Sequence, residues 1–339
     1  MPPTATWTKI CESDALRRSS QTLTVVNGAA YIFGGELRPR EPVESSVHRI
    51  PKSQDADIDT FLSASADNAP QARVGATSTA LHGKIYVFSG RGGVAMAPIE
   101  EDGAFWVLDT TAKVWSQVLP RDPASPRPAG RSYHAMTNDG QHTIFVHAGC
   151  PEKGRLSDLW AFNVVERTWR ELPAAPAPDR GGTSIAYTQG KLYRMNGFDG
   201  KTEQGGALDV FDPQTNSWQT VGFDADGSQG PGPRSVSCLL SVVVDNQPCL
   251  VTMFGEHDPS SLGHQGAGKM LDGVWMFAIH SQKWKKLTFE GGREKPCPRG
   301  WFDADVAGET EVVIHGGLAE SNQRLGDMWL LDLGVGMQS

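Results

Sequence analysis

Short apolar runs that end in glycine recur along the chain, separated by polar stretches rich in glycine and proline. Their terminal glycines lie roughly 50 to 60 residues apart, which is in the range of a structural repeat. Each run is too short for an ordinary helix and is rich in β-branched and aromatic residues, so each predicts a buried strand. The six runs are residues 31–35, 86–90, 144–149, 192–197, 251–255 and 312–317.

Two further features recur in register with these runs. An arginine opens another strand before each run, and most runs are followed by an apolar segment and then a strand that carries tryptophan. The arginines are Arg18, Arg73, Arg131, Arg180, Arg234 and Arg299, and the tryptophans of the middle four repeats are Trp115, Trp169, Trp218 and Trp284. Each repeat predicts a four-stranded antiparallel sheet, which buries both faces only when sheets stack side by side. We therefore expect an all-β, six-bladed propeller.

The two ends of the chain complement each other. The last repeat stops at residues 328–333 without a tryptophan strand, whereas residues 6–10 form a tryptophan strand that has no repeat of its own. We expect the N-terminal strand to complete the last blade, and a single domain to span residues 1–339. In the first repeat, a third strand near residues 47–50 is followed by the polar stretch 53–68 in place of a tryptophan strand.

Composition supports this interpretation and limits the partners. The chain contains 38 glycines and 22 prolines, which suits many turns, and 31 basic against 39 acidic residues give a net charge of −8. An acidic chain is a poor partner for nucleic acid, and no apolar run reaches the ~18 residues of a membrane helix. The five cysteines are an odd number without a C-x-x-C pair, so we expect free thiols. With no secretory signal in view, we expect a cytoplasmic protein.

Several segments give the repeats a family likeness. They resemble kelch repeats in general, and in particular the plant nitrile-, epithio- and thiocyanate-forming specifier proteins. The segments are Gly34-Gly35-Glu36, Arg131-Ser132-Tyr133-His134, Asn196-Gly197-Phe198, Gly255-Glu256 and Pro298-Arg299-Gly300-Trp301. The likeness runs through all six repeats and implies a kelch propeller that acts on an unstable small molecule, as the specifier proteins act on the aglycone released from glucosinolates. We expect the chain to be a fungal relative of these proteins.

The densest group of possible metal ligands follows the fifth run. The resemblance implies a Glu-x3-Asp-x3-His pattern that holds ferrous iron, and Glu256 and His264 keep its outer spacing. Ser260 stands at the middle position, and Asp258 is the nearby aspartate. Three alternatives stay open: a turn without chemistry, an Fe(II) site of Glu256, Asp258 and His264, and a metal-free pocket with catalytic Glu256 and His264. We expect no metal or other cofactor.

Charged residues that follow the first two runs are candidates for the mouth of the central channel. The specifier proteins carry an arginine where Arg91 stands, and the resemblance assigns it to the sulfate of the substrate. A guanidinium there suits an oxygen that gains negative charge, so Arg91 is a catalytic candidate. Glu36 occupies the equivalent place in the first repeat and is a substrate-binding candidate. An ion pair between Arg91 and Glu36 is the alternative.

Aromatic and basic residues near the same loops complete the predicted pocket. Trp301 and Phe198 are candidates for walls that stack on the substrate, whereas Tyr133 is expected to pack between blades. The strand-opening arginines recur too regularly for all of them to be catalytic, so the set is expected to be structural. Any one of them can still face the pocket, and Arg299 is the substrate-binding candidate.

Three classes of function remain. The first is an enzyme of secondary metabolism that steers a reactive small molecule by non-redox lyase, isomerase or cyclase chemistry, a hetero-Diels–Alder cycloaddition included. The second is an iron-dependent specifier protein, and the third is a kelch module that binds another protein. The first is favoured, because Ser260 departs from the iron pattern and the sequence predicts no helical partner domain. The oligomeric state stays open.

Overall fold

The computed structural model describes residues 5–54, 57–62, 68–289 and 294–334, and it is built almost entirely of antiparallel strands. In chain order the strands are β1 (Thr6–Glu12), β2 (Ser19–Val26), β3 (Ala29–Arg38), β4 (Glu41–Pro42), β5 (Val47–Pro51), β6 (Asp59–Phe61), β7 (Arg73–Val74), β8 (Thr77–Leu81), β9 (Lys84–Phe88), β10 (Arg91–Gly92), β11 (Ala97–Pro98), β12 (Phe105–Asp109), β13 (Val114–Val118), β14 (Ala135–Asn138), β15 (Thr143–Gly149), β16 (Leu156–Asn163), β17 (Thr168–Leu172), β18 (Ser184–Thr188), β19 (Lys191–Met195), β20 (Ala207–Asp212), β21 (Ser217–Gly222), β22 (Leu240–Val244), β23 (Gln247–Met253), β24 (Glu256–His257), β25 (Lys269–Met270), β26 (Val274–Ala278), β27 (Lys283–Lys286), β28 (Asp303–Val306), β29 (Glu311–His315) and β30 (Asp327–Asp332). Two 3-10 helices accompany them, Asp14–Leu16 and Gly263–Gln265. Among the described residues, no helix has the length and apolarity needed to span a bilayer.

Four-stranded antiparallel sheets carry the repeats, so the all-β prediction is confirmed. Sheet 1 is ordered β2-β3-β5-β6 with β4 paired to β3, sheet 2 is β8-β9-β12-β13, sheet 3 is β14-β15-β16-β17, sheet 4 is β18-β19-β20-β21, sheet 5 is β22-β23-β26-β27, and sheet 6 is β28-β29-β30-β1. Two small sheets form beside the ends of the second strands. In β7-β10-β11, the strands β10 and β11 come from the loop after β9 and β7 precedes β8, whereas both strands of β24-β25 come from the loop after β23.

The outer edge of sheet 1 differs from the prediction. A short fourth strand, β6, stands where only polar chain was expected, and its Phe61 lies opposite Val47 of β5. The Phe61 ring lies under the ammonium of Lys113 from sheet 2, at 5.1 Å. Asp59 also pairs with Lys113 at 2.6 Å and Thr60 bonds to His48 at 2.8 Å, so all three residues of this short strand have side-chain partners. Residues 55, 56 and 63–67 of the same polar stretch lie outside the described residues.

The N-terminal strand is the outermost strand of the last repeat's sheet. β1 runs antiparallel to β30, with Trp7 opposite Leu331. The Trp7 ring stacks on Phe254, with centroids 6.0 Å apart, and so reaches the neighbouring sheet 5. The first and last segments of the described chain therefore share one sheet.

A circle of backbone hydrogen bonds lies at the axis of the molecule. The first strand of each sheet contacts the first strand of the next, and β28 contacts β2. At the start of each first strand one residue has a left-handed backbone, with φ between 47° and 61°. Each of these residues donates its N–H to the carbonyl of its counterpart in the preceding sheet, at 2.8–3.1 Å. We call this set the left-handed ring: Ser20, Gly75, Tyr133, Gly182, Val236 and Trp301.

The six strand-opening arginines tie the first two strands of each sheet together. Every Nη1 donates to the carbonyl of the residue before the terminal glycine, at 2.8–3.2 Å. In three sheets the guanidinium also binds a carboxylate, which in turn accepts a hydrogen bond from an indole N–H. These sets are Arg73–Glu101–Trp106, Arg131–Asp158–Trp160 and Arg299–Asp327–Trp329. The arginines as a set therefore hold the fold, as the repetition predicts.

Aromatic side chains fill the spaces between neighbouring sheets. Trp115 of sheet 2 packs on Phe33 of sheet 1 with ring centroids 5.3 Å apart, and Trp169 of sheet 3 stacks on Phe105 of sheet 2 at 5.4 Å. The tryptophan of a fourth strand thus belongs to the core shared with the preceding sheet. All five cysteines are free, and of these Cys238 and Cys249 are buried.

Deleting residues 1–12 removes β1 and leaves β30 as an unpaired edge. We expect the free energy of unfolding to fall by roughly 3 kcal/mol or more, because a large buried aromatic and a whole strand pairing are lost. Since sheets share cores, the loss should affect one cooperative transition of the whole protein. Urea unfolding followed by tryptophan fluorescence measures it, and an unchanged midpoint would contradict the role given to β1.

Replacing Arg131 tests the arginine–carboxylate–indole sets. Arg131→Met leaves the Asp158 carboxylate without its guanidinium partner, which binds it at 2.7 and 2.9 Å. We expect a loss of roughly 3 kcal/mol in unfolding free energy, as for other broken buried pairs. The matched control is Arg180→Met, because Arg180 donates to carbonyls and has no carboxylate partner in the described chain. Equal losses in the two variants would show that the carboxylate adds nothing.

Candidate functional site

Six residues take equivalent places at one end of the axis. Each directly follows a terminal glycine and lies opposite the residue that follows a strand-opening arginine. These residues are Glu36, Arg91, Cys150, Phe198, Glu256 and Leu318, and we call them the mouth ring. The structure thus places four predicted site residues, Glu36, Arg91, Phe198 and Glu256, in one register position of different sheets. Cys150 shares that position and was missed, although the repeat register of the sequence was enough to find it.

Arg91 has a cationic side chain without an acidic partner. The half-buried guanidinium donates to the Ser132 hydroxyl at 3.2 Å and to the carbonyls of Met96 and Pro151 at 3.0 and 3.1 Å. Within the described ranges, no carboxylate forms an ion pair with it. The alternative pairing with Glu36 is wrong, because Glu36 binds Arg324 at 3.1 Å across the seam between sheets 1 and 6. Arg91 therefore both ties sheet 2 to sheet 3 and keeps an uncompensated charge at the mouth.

A second arginine without a carboxylate partner lies nearby. The Arg155 guanidinium is 4.9 Å from the centre of the Phe198 ring, and its buried Nε has no hydrogen-bond partner. Burial raises the pKa of the Cys150 thiol, while the charges of Arg155 and Arg91 lower it, so both guanidiniums lie close to Cys150. Sequence reasoning missed Arg155, because it stands within a loop at no repeated position.

Two carboxyl groups meet on the other side of the mouth. Glu256 is 4 % exposed, and its Oε1 accepts the Gly268 N–H at 2.8 Å. Burial raises the pKa of Glu256 to about 7, and the charge of Glu203 adds to the rise. Glu203 is itself buried, burial raises its pKa, and its Oε1 has no hydrogen-bond partner among the described residues. A carboxyl that exchanges its proton near neutral pH is suited to general acid–base chemistry.

The described residues do not assemble the iron site that the resemblance implies. Asp258 is exposed and lies between His257 and Lys269, at 3.3 and 3.5 Å. The Ser260 hydroxyl accepts the Leu262 N–H at 3.1 Å. His264 belongs to the helix Gly263–Gln265, but its side chain lies outside the described residues. Among the residues that are described, no group of three acidic, histidine or cysteine side chains is arranged to hold a metal.

Trp301 lies in a different space from the mouth residues. As a member of the left-handed ring it lines a cavity of about 510 Å³ along the axis, whose lining includes none of the mouth ring. The prediction that Trp301 shares one pocket with Glu36, Arg91 and Glu256 is therefore wrong: the left-handed ring brings its side chain to the axial side. Tyr133, expected to pack between blades, lines the same cavity.

Arg299 does not face a pocket. Its side chain is fully buried and binds both carboxylate oxygens of Asp327, at 2.7 and 2.8 Å. The substrate-binding prediction for Arg299 is corrected for that reason.

Comparison with known proteins agrees with this architecture. The model of the KLHDC2/KLHL20/DRC7 kelch-repeats domain matches residues 20–255. The chain belongs to the kelch-repeat family. The solved structure titled "Structure of YjhT" superposes with a TM-score of 0.70 over 94 % of this kelch chain and 95 % of that one, at 15 % identity, which supports the fold alone.

Curated kelch relatives differ in how much of their length the chain spans. An N-(sulfonatooxy)prop-2-enimidothioate sulfolyase of Thlaspi arvense is 28 % identical over 92 % of this chain and 91 % of its own. Mei4-dependent protein 6 of Schizosaccharomyces pombe is 26 % identical over 68 % of this chain, which spans 35 % of that protein. Kelch domain-containing protein 3 of Bos taurus is 26 % identical over 48 % of this chain and 43 % of its own. The likeness to a plant specifier-type protein is thus confirmed over nearly the whole chain.

The raised pKa of Glu256 gives the kelch protein a predicted pH dependence of stability. The group titrates near 4.5 when unfolded and near 7 when folded, so the folded state binds more protons between these values. Its ionisation therefore lowers stability as pH rises from 4.5 to 7. In Glu256→Gln we expect this part of the decline to vanish. Urea midpoints measured from pH 4.5 to 8 test it, and an identical pH slope in both proteins would contradict the pKa shift.

Proposed function

We propose that the protein is a non-redox lyase that acts on a small anionic molecule at the mouth ring. The observation that carries the proposal is the pair Arg91 and Arg155, two guanidiniums without a carboxylate partner in the described chain, beside the half-buried Cys150. Unpaired arginines in a partly desolvated site bind oxyanions well, because the planar fork matches sulfate, phosphate or carboxylate oxygens. Glu256 adds a group that can give or take a proton near neutral pH.

The propeller itself supplies the rigidity that this chemistry needs. We propose that sheets 1 to 6 are the six blades of one ring, in which β1 completes the last blade. The circle of hydrogen bonds through the left-handed ring and the β1–β30 pairing support this count. A site whose parts come from different blades of a closed ring is preorganised, since no blade can move alone.

The sulfolyase relative suggests the leaving group. Its name describes a substrate with an N-sulfonatooxy group on an imidothioate. In an elimination of this kind the N–O bond breaks and its electron pair leaves with the sulfate. The electron pair that joined the central carbon to the organic group becomes the third C–N bond, and the thiolate sulfur forms a bond to that organic group, so the products are a thiocyanate and sulfate. Arg91 and Arg155 would stabilise the charge that grows on the leaving oxygen. The ring of Phe198, under Arg155, would form an apolar wall for the rest of the molecule. Elimination is favoured over isomerisation or cycloaddition, because two guanidiniums that form no ion pair in the described chain are suited to a departing oxyanion.

The proposed reaction uses no metal. Ser260, whose hydroxyl accepts the Leu262 N–H, stands where the iron pattern needs a carboxylate, and the nearby Asp258 lies beside Lys269 and His257. We also propose that the protein acts in the cytoplasm and takes part in secondary metabolism.

A second candidate function is binding of a partner protein at the mouth face. Three large apolar side chains are exposed at or beyond the ends of second strands: Leu37 at the end of β3 at 50 %, and Val94 and Leu262 in later loops at 108 % and 69 %. Exposed apolar residues on one face mark many interaction surfaces. Replacing all three by serine discriminates the candidates, because it would abolish partner binding and leave turnover of a small molecule nearly unchanged.

The sharpest variant for the lyase proposal is Arg155→Ala, because Arg155 donates no hydrogen bond within the described chain. With N-(sulfonatooxy)prop-2-enimidothioate as substrate, we expect sulfate release and the organic products formed per protein to fall by about ten- to a hundred-fold. The melting temperature should hardly change. The matched control Arg170→Ala removes an exposed arginine of β17 and should keep full activity. Equal activity in both variants, or no protein-dependent change of products in the wild type, would overturn the proposal.

A chelator separates the lyase from the iron-dependent alternative. We expect activity to survive a strong chelator. Loss of activity on chelation, with recovery on addition of ferrous iron, would instead favour a site built from Glu256, Asp258 and His264.

A further inference from the structure

A second, separate cavity lies along the axis. It has a volume of about 510 Å³ and is lined by the first strands of all six sheets, from the left-handed ring to the hairpin turn at Asp139 and Gly140. Cavities of 300–1,000 Å³ are typical of small-molecule sites. None of the mouth ring lines this cavity, although the Tyr133 phenol at its end lies close enough to Glu36, Cys150 and Arg91 for their charges to act on its pKa.

The lining of the axial cavity has a one-sided charge. Three aspartates contribute to it, Asp139, Asp303 and Asp305, whereas no lysine or arginine among the described residues does. Carboxylates that line a concave, partly desolvated space concentrate a negative potential there. The cavity therefore attracts cations and disfavours anions, the reverse of the Arg91–Arg155 side of the mouth.

Asp303 and Asp305 have acceptor capacity to spare. They lie two residues apart on β28, and their Oδ2 atoms accept the Leu23 and Val25 N–H groups of β2 at 2.6 and 2.7 Å. Their Oδ1 atoms accept only the N–H of the next residue, at 2.9 and 2.8 Å. An ionised carboxylate can accept about four hydrogen bonds, so each has room for a ligand. Burial raises their pKa values to about 7 and about 6, since no cation offsets their charge.

Aromatic rings and unpaired polar atoms stand near these carboxylates. Trp301, two residues before Asp303, lines the cavity together with it, and Tyr133 lines the end of the cavity at the left-handed ring. Gln21 and His134 also line the cavity, at 4 % and 3 % exposure. The Gln21 Oε1 and the His134 Nδ1 have no hydrogen-bond partner among the described residues. Both atoms are almost completely covered by protein, so the two carboxylates are the polar groups that the cavity offers to a ligand.

We propose that the axial cavity is a binding site for a small organic cation, a protonated amine or amidine. Its N–H groups bind Asp303 and Asp305, and its apolar body lies against Trp301 and Tyr133, where the ring faces also attract positive charge. This site is separate from the mouth, so the proposal stands whether or not the lyase proposal holds.

Matched probes test the sign of the charge. Benzylamine, benzyl alcohol and benzoate have nearly the same size and differ in charge. By titration calorimetry at pH 8, where Asp303 and Asp305 are ionised, we expect binding of benzylamine alone. In the double variant Asp303→Asn with Asp305→Asn, affinity should fall at least about ten-fold, the loss expected for charged hydrogen bonds. Asparagine keeps an oxygen for the Leu23 and Val25 N–H groups, so the fold should persist.

Two controls locate the site. Asp226→Asn removes an exposed carboxylate that also accepts backbone N–H groups, outside the cavity, and should leave benzylamine affinity unchanged. Arg155→Ala, at the mouth, should also leave it unchanged. Should the double variant not fold, the shift of the Trp301 indole N–H signal on adding benzylamine to the wild type, assigned with Trp301→Phe, gives the same information.

Three outcomes would overturn the proposal. They are no benzylamine binding up to about 10 mM, a concentration that corresponds to negligible affinity, equal binding of benzyl alcohol, and undiminished binding in the double aspartate variant.

Discussion

The left-handed ring is the constraint on which the rest of the kelch structure depends. Six residues around the axis pass one hydrogen bond each to the next sheet, so the position of every blade is fixed by its neighbours. Each ring residue needs a positive φ, which is easy for Gly75 and Gly182 but costs about 1–2 kcal/mol at the β-branched Val236. The hydrogen bonds that each ring residue makes with both neighbouring sheets offset that cost, and none of the mouth ring lines the axial cavity.

The terminal glycines support the ring from outside. Gly149 has a φ of 98°, and a Cβ there would lie 2.7 Å from the Cβ of His134, so a larger residue would push the first two strands of sheet 3 apart. Its N–H donates to the carbonyl of Arg180 in the next sheet, at 3.0 Å. The arginine side chains then hold the carbonyl before each glycine. The backbone hydrogen bond between sheets and the guanidinium hydrogen bond within a sheet thus both involve the terminal glycine segment and the strand-opening arginine. This shared role explains why glycine and arginine recur in register.

The two sides of the ring carry opposite chemistry. At the mouth, Arg91 and Arg155 lack carboxylate partners in the described chain, whereas Asp303 and Asp305 line the cavity on the other side. The net charge of −8 says nothing of this separation, because it averages over the whole surface. The proposed oxyanion site at the mouth and the proposed organic-cation site in the axial cavity therefore lie on opposite sides of the left-handed ring.

The sequence by itself determined the strands, their order within each repeat and the structural task of the arginines, because these follow from local patterns that repeat. It also predicted that Glu36 and Arg91 stand at equivalent places, and the strand register adds Phe198 and Glu256 to the same position. The partners of those side chains were decided only by the tertiary structure. Arg324 takes Glu36 away from Arg91, and Glu203 raises the pKa of Glu256, across separations in sequence that no local pattern spans. The tertiary structure also decided which cavity Trp301 lines. Its left-handed backbone accompanies the hydrogen bonds that it makes with Val236 and Ser20 of the two neighbouring sheets.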